Sequence, residues 1–208
     1  MLKWFKILKK GSIVFLMGVF YLLSYNIIVK ADNISVSNWY SDEKRVGYWS
    51  ESPKVSFSNL SGAINVSSYL DNAVKAWSNA GISSSITTTP ANANIKLYGG
   101  TRAELIAMGF YYSTDIVGLT YFDSYSAAGT ANSVYTINRF SKVSTSVCSE
   151  AGASYYTNVV MHEYGHALGW MGHASNAGDV MYYQATAGNI SLTSHDKKQL
   201  LQIYSAMN

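Results

Sequence analysis

The stretch MHEYGHALGWMGH, residues 161–173, holds three of the four histidines in a chain of 208 residues. Four apart on a helix, His162 and His166 stand one above the other on a single face. Their imidazole nitrogens then reach one ion at the 2.0–2.1 Å or so that zinc requires. Glu163 points beside that face, placed to hold and deprotonate a metal-bound water. Gly169 lets the chain leave the helix through a backbone angle that costs other residues more, and the turn brings His173 round as a third ligand. Three protein ligands with a fourth position open to water mark a catalytic rather than a structural zinc. HExxH alone fixes three positions and arises by accident on ordinary helices, where a satisfied pair of surface histidines is the plain reading. HExxHxxGxxH fixes five, with a chance match on the order of 10⁻⁸ per start site at average residue usage. The implied chemistry is hydrolysis of a peptide bond. The metal activates the water and polarises the carbonyl, while Glu163 takes the proton and delivers it to the departing amine.

Outward from the motif, residues 155–168 read as one helix, with Val160, Tyr164 and Ala167 on one stripe and Val159, His162 and His166 on the next. Upstream, Ser67 or Ser68 is expected to cap a helix with the apolar stripe Leu70, Ala73, Val74, Trp77 and Ala80, stopped by Gly81. Residues 54–57, 86–89, 93–98, 118–123 and 133–138 read as strands, with Gly99-Gly100 as a break. Downstream, Thr193 with Asp196 three residues on forms a capping-box pattern. The last helix it opens has Leu200, Ile203, Tyr204 and Met207 as its buried face. His195 reads as a solvated first-turn residue of that helix. Strands followed by two helices separated by loops give a mixed α+β class.

The first 31 residues stand apart. Lys3, Lys6, Lys9 and Lys10 precede an apolar run, and Val29-Lys30-Ala31 offers a cleavage site after Ala31, the pattern of a secretory signal peptide. An uncleaved leader would instead anchor the chain, since residues 11–29 are about long enough to span a bilayer. The leader carries five lysines and no acid, leaving 10 basic against 12 acidic residues, a net −2, in the mature chain. No basic patch remains for nucleic acid. Residues 32–49 form an arm too short for a folded inhibitory prodomain, and 50–208 a single catalytic domain. Cys148 is the only cysteine, so no intrachain disulfide forms, and its thiol reads as incidental.

The pattern from His162 to His173 resembles the metzincin zinc-binding consensus. That family carries a methionine turn beneath the metal, and Asp179-Val180-Met181-Tyr182 sits where the turn belongs. Three further stretches resemble the matrixin branch: AVKAWSNAG (73–81) its first helix, ANIKLY (93–98) the strand after it, and SLTSHDKKQLLQIY (191–204) its closing helix. The resemblance covers roughly residues 50–206. It implies a zincin-like catalytic domain with a twisted, mostly parallel sheet, an active-site helix and a C-terminal helix. It implies one catalytic Zn2+ on His162, His166 and His173, with Glu163 as base and Met181 in the turn. The activity implied is that of a secreted, monomeric endopeptidase acting on peptides or proteins. A non-hydrolytic binding protein that keeps the metal site as scaffold is the competing reading, against which the intact Glu163 stands.

The chain also departs from the branch. With no histidine before His162, the second, structural zinc of matrixins is not carried over, and the propeptide cysteine motif is missing. Ca2+ has no support beyond Asp115 and Asp123 as candidate oxygen ligands. Tyr183 falls two residues after Met181, where astacins and serralysins place a tyrosine that binds zinc or supports the transition state. Matrixins usually have proline there. With 17 tyrosines in the chain, a plain wall residue is the competing reading. Residues 182–189 are expected to wall the substrate pocket.

Overall fold

Residues 44–131, 135–188 and 190–207 are described by a computed structural model; the expected leader and the arm up to residue 43 lie outside the described residues. The expected α+β class with a mostly parallel sheet is what the chain forms. Six strands make one sheet: β1 (Arg45–Tyr48), β2 (Lys54–Asn59), β3 (Ser85–Ile86), β4 (Ile95–Gly100), β5 (Gly118–Ala131) and β6 (Tyr135–Cys148). Its hub is β6. Along one edge it pairs antiparallel with β5; its other edge is shared by β1, parallel over Thr136 to Arg139, and β4, parallel over Val143 to Cys148. Parallel pairing continues outward from β4 to β2 and β3. That order leaves the far edge of β5 as a rim of the sheet.

Four helices cover it: α1 (Ser67–Asn79), α2 (Arg102–Ala107), α3 (Tyr156–Leu168) and α4 (Ser194–Met207). Leu70, Ala73 and Trp77 of α1 meet Val160, Tyr164 and Ala167 of α3 in one core with Val55, Leu97 and Val147 of the sheet. Trp77 is wholly buried, and its indole N–H donates to the Met161 carbonyl at 3.2 Å, tying α1 to the backbone of the motif helix. A second cluster packs Ile203 and Ala206 of α4 on Val46 of β1 and Ile137 of β6. Among the described residues no helix is long and apolar enough to cross a membrane.

Several local expectations shift, some through close neighbours and some through distant partners. Neither Ser67 nor Ser68 caps α1. Val66 holds the N-cap position, and the Asn65 side chain accepts from the Ser67 amide at 3.1 Å. Gly99 and Gly100 do not break the chain; they are the last residues of β4, paired with Val147 and Cys148, and Val66 and Leu60 crowd the space a side chain would need there. The threonine run supplies only Ile86 to a two-residue strand before a 3-10 turn at Pro90–Asn92. The strand expected over 133–138 runs on to Cys148, and α2, opened by a capping box of Thr101 and Glu104, was not anticipated. Residues Arg45–Tyr48, placed in the arm by sequence, form β1. The two stripes read on α3 understate its burial: every residue but Thr157 is buried, as for a helix enclosed on all sides.

Trp77→Ala is expected to lower the unfolding free energy by about 3–5 kcal/mol, the usual cost of emptying a buried tryptophan site. A urea midpoint unchanged from the parent would mean that Trp77 does not join the two helices as described.

Candidate active site

Helix α3 carries His162, Glu163 and His166 on its cleft side and ends at Gly169. There φ is +136°, and the Gly47 carbonyl lies so close that any Cβ would strike it, while the Gly47 amide donates to the Gly169 carbonyl at 2.9 Å. Glycine is therefore required both by the backbone angle and by the contact with β1. The chain then doubles back, and His173 stacks on His162 with ring centroids 5.4 Å apart and stands edge-on to His166 at 5.1 Å. Each of the three rings offers a nitrogen, all within 4.8 Å of one another.

Hydrogen bonds fix which nitrogens converge. Nδ1 of His162 lies 2.8 Å from the Val180 carbonyl and Nδ1 of His166 lies 2.6 Å from the Trp170 carbonyl. A carbonyl only accepts, so both Nδ1 atoms carry the proton and both Nε2 atoms present a lone pair. Those Nε2 atoms are 3.0 Å apart. With no proton between them this is no hydrogen bond, and two facing lone pairs are an arrangement that a shared cation would stabilise. Donors tetrahedrally arranged at 2.0–2.1 Å around zinc would lie about 3.3 Å apart, so the pair fits the ion. Burial keeps both rings neutral, as ligands must be. It pushes His162 down to about 4 against the pull of the Val180 carbonyl, and holds His166 well below the usual histidine range, with His162 and His173 adding to the effect.

The turn at Asp179-Val180-Met181-Tyr182 supplies the Val180 carbonyl and closes with Tyr182 N donating to Asp179 O at 3.2 Å. Met181 is fully buried beneath α3, its sulfur against Gly165, where a Cβ would collide with it. The peptide between Val180 and Met181 is gripped from both sides. Its carbonyl accepts from His162, and its N–H donates to Asp196 Oδ1 at 3.2 Å; Oδ2 of the same carboxylate takes the Val180 N–H at 3.0 Å. Thr193 and Asp196 do form the expected capping box, Thr193 N donating to Oδ2 at 2.8 Å and Asp196 N to the Thr193 hydroxyl at 3.1 Å. Asp196 thus caps the last helix and the turn together.

His195 corrects the sequence reading. It is no solvated bystander: Nδ1 donates to the buried Asp179 carboxylate at 2.6 Å, and the ring stands edge-on to Trp170 at 6.0 Å. The Asp179 carboxylate needs a second donor besides Thr193, and His195 is within reach.

Glu163 lines the cleft with its carboxyl buried, and burial pushes its pKa up to about 8 against the lowering effect of the Thr120 hydroxyl. Burial alone disfavours its charged form, which a neighbouring cation would favour. The cleft itself measures about 900 Å³ and runs along α3 from Tyr155 past His166 to His173. Gly118 and Thr120 of β5 line it directly beside Glu163. Tyr183 stands at its rim, 61% exposed, with its ring against Tyr182 at 4.6 Å. Of the expected pocket wall, Asn189 lies outside the described residues. Asp115 and Asp123 are exposed and belong to no shared metal-binding group with the histidines. Cys148 is buried, its thiol donating to Glu150 at 2.8 Å; burial and that carboxylate push the thiol up to about 11, far from a reactive thiolate.

Sequence reasoning missed the Val180 and Trp170 carbonyls, which leave no trace in side-chain identity. It passed over Gly165, whose place inside a helix was a legible sign of close packing. It also passed over Thr120, one threonine among many.

No curated protein matches the chain. The matrixin family model matches residues 39–205, a span that takes in the sheet, the motif helix, the turn and nearly all of the last helix. By that match the chain belongs to the matrixin family of zinc metallopeptidases.

Proposed function

We propose that the protein is an exported endopeptidase that hydrolyses internal peptide bonds, with His162, His166 and His173 holding one zinc and Glu163 as general base. The observation that carries this reading is the pair of unprotonated Nε2 atoms at 3.0 Å beside a buried glutamate in an open cleft. When bound, zinc supplies Lewis acidity that polarises a scissile carbonyl and makes water a nucleophile near neutral pH. The Glu163 carboxylate accepts the proton of the attacking water and returns it to the amide nitrogen of the departing segment. Val180 and Trp170 hold the imidazoles in the ligating tautomer through their carbonyls. Met181 seats the turn under the helix.

The length of the cleft favours endopeptidase action. From Tyr155 to His166 its lining follows α3 for eleven residues, or about 16 Å at helical rise. That accommodates about five residues of extended peptide, with Glu163 inside the span rather than at its end. The rim of β5 offers unpaired backbone groups, among the described residues, for a peptide to add as a further strand. The lysine-flanked leader supports export, with cleavage after Ala31 releasing a monomeric chain whose arm leads into the catalytic domain. Tyr183 is read as a wall residue, because its side chain leans on Tyr182 at the rim and is mostly in solvent.

The mature protein is expected to retain about one equivalent of zinc after dialysis, and His166→Ala to lose most of it. Two tightly held zincs, measured by atomic absorption, would contradict a single site. Glu163→Ala is expected to keep the zinc and the fold while losing nearly all cleavage of a diverse peptide library read by mass spectrometry. Parental cleavage by that variant would remove Glu163 from the mechanism. Tyr183→Phe and Tyr182→Phe are expected to differ little from the parent in turnover. A loss of about 10²–10³ in kcat confined to Tyr183→Phe would instead make its hydroxyl an oxyanion donor.

A further inference from the structure

Two residues of β5 meet the Glu163 carboxyl from either side. Thr120 Oγ1 lies 2.6 Å from Glu163 Oε2, the one hydrogen bond the carboxyl makes among the described residues. Behind it stands Thr145, fully buried and directly across the β5–β6 pair, with its Oγ1 2.9 Å from that of Thr120. A hydroxyl has a single proton. The Thr120 hydroxyl has three acceptors within reach, Oε2 at 2.6 Å, Thr145 Oγ1 at 2.9 Å and the Glu163 carbonyl at 3.2 Å, of which Oε2 is the nearest. Gly118 lies two residues earlier, on the same face of the strand. It abuts the other oxygen: a Cβ there would overlap Oε1 and come within 2.7 Å of Glu163 Cγ.

A glutamate side chain has a broad, nearly two-fold terminal torsion, so nothing intrinsic to it decides which oxygen faces the substrate. A buried carboxylate also needs a donor, and a charge-assisted bond from a hydroxyl is among the stronger kinds. Here the strand wall supplies that donor on one side and clearance on the other. Resting on the peptidase reading above, we propose that Thr120 is the positioning residue of the proton shuttle. Its hydroxyl pins Oε2 of Glu163, so that Oε1, beside Gly118, takes the proton from water and returns it to the amide nitrogen of the leaving segment. The bond to water's proton breaks as the Oε1–H bond forms, and that bond breaks in turn as the amine is protonated, leaving Glu163 as it began.

The test is Thr120→Val, which keeps the shape and removes the hydroxyl, alongside Thr120→Ser, which restores it. Thr120→Val is expected to lower kcat about 10–100-fold, the scale of a misplaced catalytic group. KM should stay within about two-fold, because the contact serves the reacting group and not substrate binding. Thr120→Ser is expected to recover most of the loss, and zinc content should be equal in all three proteins. A crystal structure of Thr120→Val should show the Glu163 carboxyl displaced while the three imidazoles superpose on the parent. Should Thr120→Val fail to fold, Thr145→Val, one bond further back, is expected to lower kcat several-fold at constant KM. Parental kcat in the valine variants, an undisplaced carboxyl, or a serine variant as impaired as the valine one would overturn the positioning role alone. A parent that cleaves nothing across the library would overturn the peptidase reading instead, with the crystallographic displacement still deciding whether Thr120 holds Glu163.

Discussion

Two unprotonated imidazole nitrogens 3.0 Å apart in a buried pocket repel one another, and a structure that holds them so must restrain each ring from behind. The restraint comes from backbone carbonyls, and carbonyls point where the chain's path points them. Trp170 reaches His166 because the chain turns sharply at Gly169, and Val180 reaches His162 because the turn at Met181 returns beneath α3. Asp196 then holds that turn by its two central amides, those of Val180 and Met181. The last helix is therefore joined to a candidate metal ligand through one peptide group, although the two lie 34 positions apart in sequence.

The same pocket asks the core to accept polar groups, and the arrangement limits what that costs. Burying an unpaired polar atom costs on the order of 1–3 kcal/mol. Glu163 has the Thr120 hydroxyl, both Nδ1 atoms have carbonyls, and Asp179 has Thr193 and His195. Around them the helix is sealed by Trp77 and Met181 on its far side, with Gly165 making room for the sulfur. Apolar packing thus borders the polar groups directly, and a packed ring or carboxyl has few positions where one held only by solvent would have many.

What the sequence made legible was local. The spacing of His162, His166 and His173 encodes a shared helix face and a turn. Thr193 with Asp196 encodes a helix start, and Leu70, Ala73 and Trp77 encode a buried stripe; all three survive because their partners lie within a few residues or in any core. What was not legible depends on partners far along the chain. Gly99 and Gly100 look like a break until Val147 and Cys148 pair with them. His195 looks solvated until Asp179 and Trp170 arrive beside it. Thr120 is indistinguishable from other threonines of a Ser/Thr-rich strand until β5 is laid against α3. The capping box at Thr193 was readable, but its second duty on the turn was not, since a carboxylate with two oxygens does not announce how many donors it serves.

The groups that orient the site share one property: nearly all are neutral. Two carbonyls hold two neutral imidazoles, and two hydroxyls stand behind the glutamate. Three neutral nitrogen donors leave the charge of a divalent ion undiminished, whereas thiolate or carboxylate ligands would cancel part of it. Dipoles fixed in advance also need no rearrangement as charge develops on a substrate. Among the described residues the cleft is lined by the carboxylates of Asp115, Glu150 and Glu163, and Glu163 is the one that shares the motif helix with His162 and His166, so its placement bears most directly on the field around them. A strand that presents a hydroxyl to one carboxylate oxygen and a side-chain-free glycine to the other sets that placement by shape and a single hydrogen bond, without introducing a second charge that would compete with an ion.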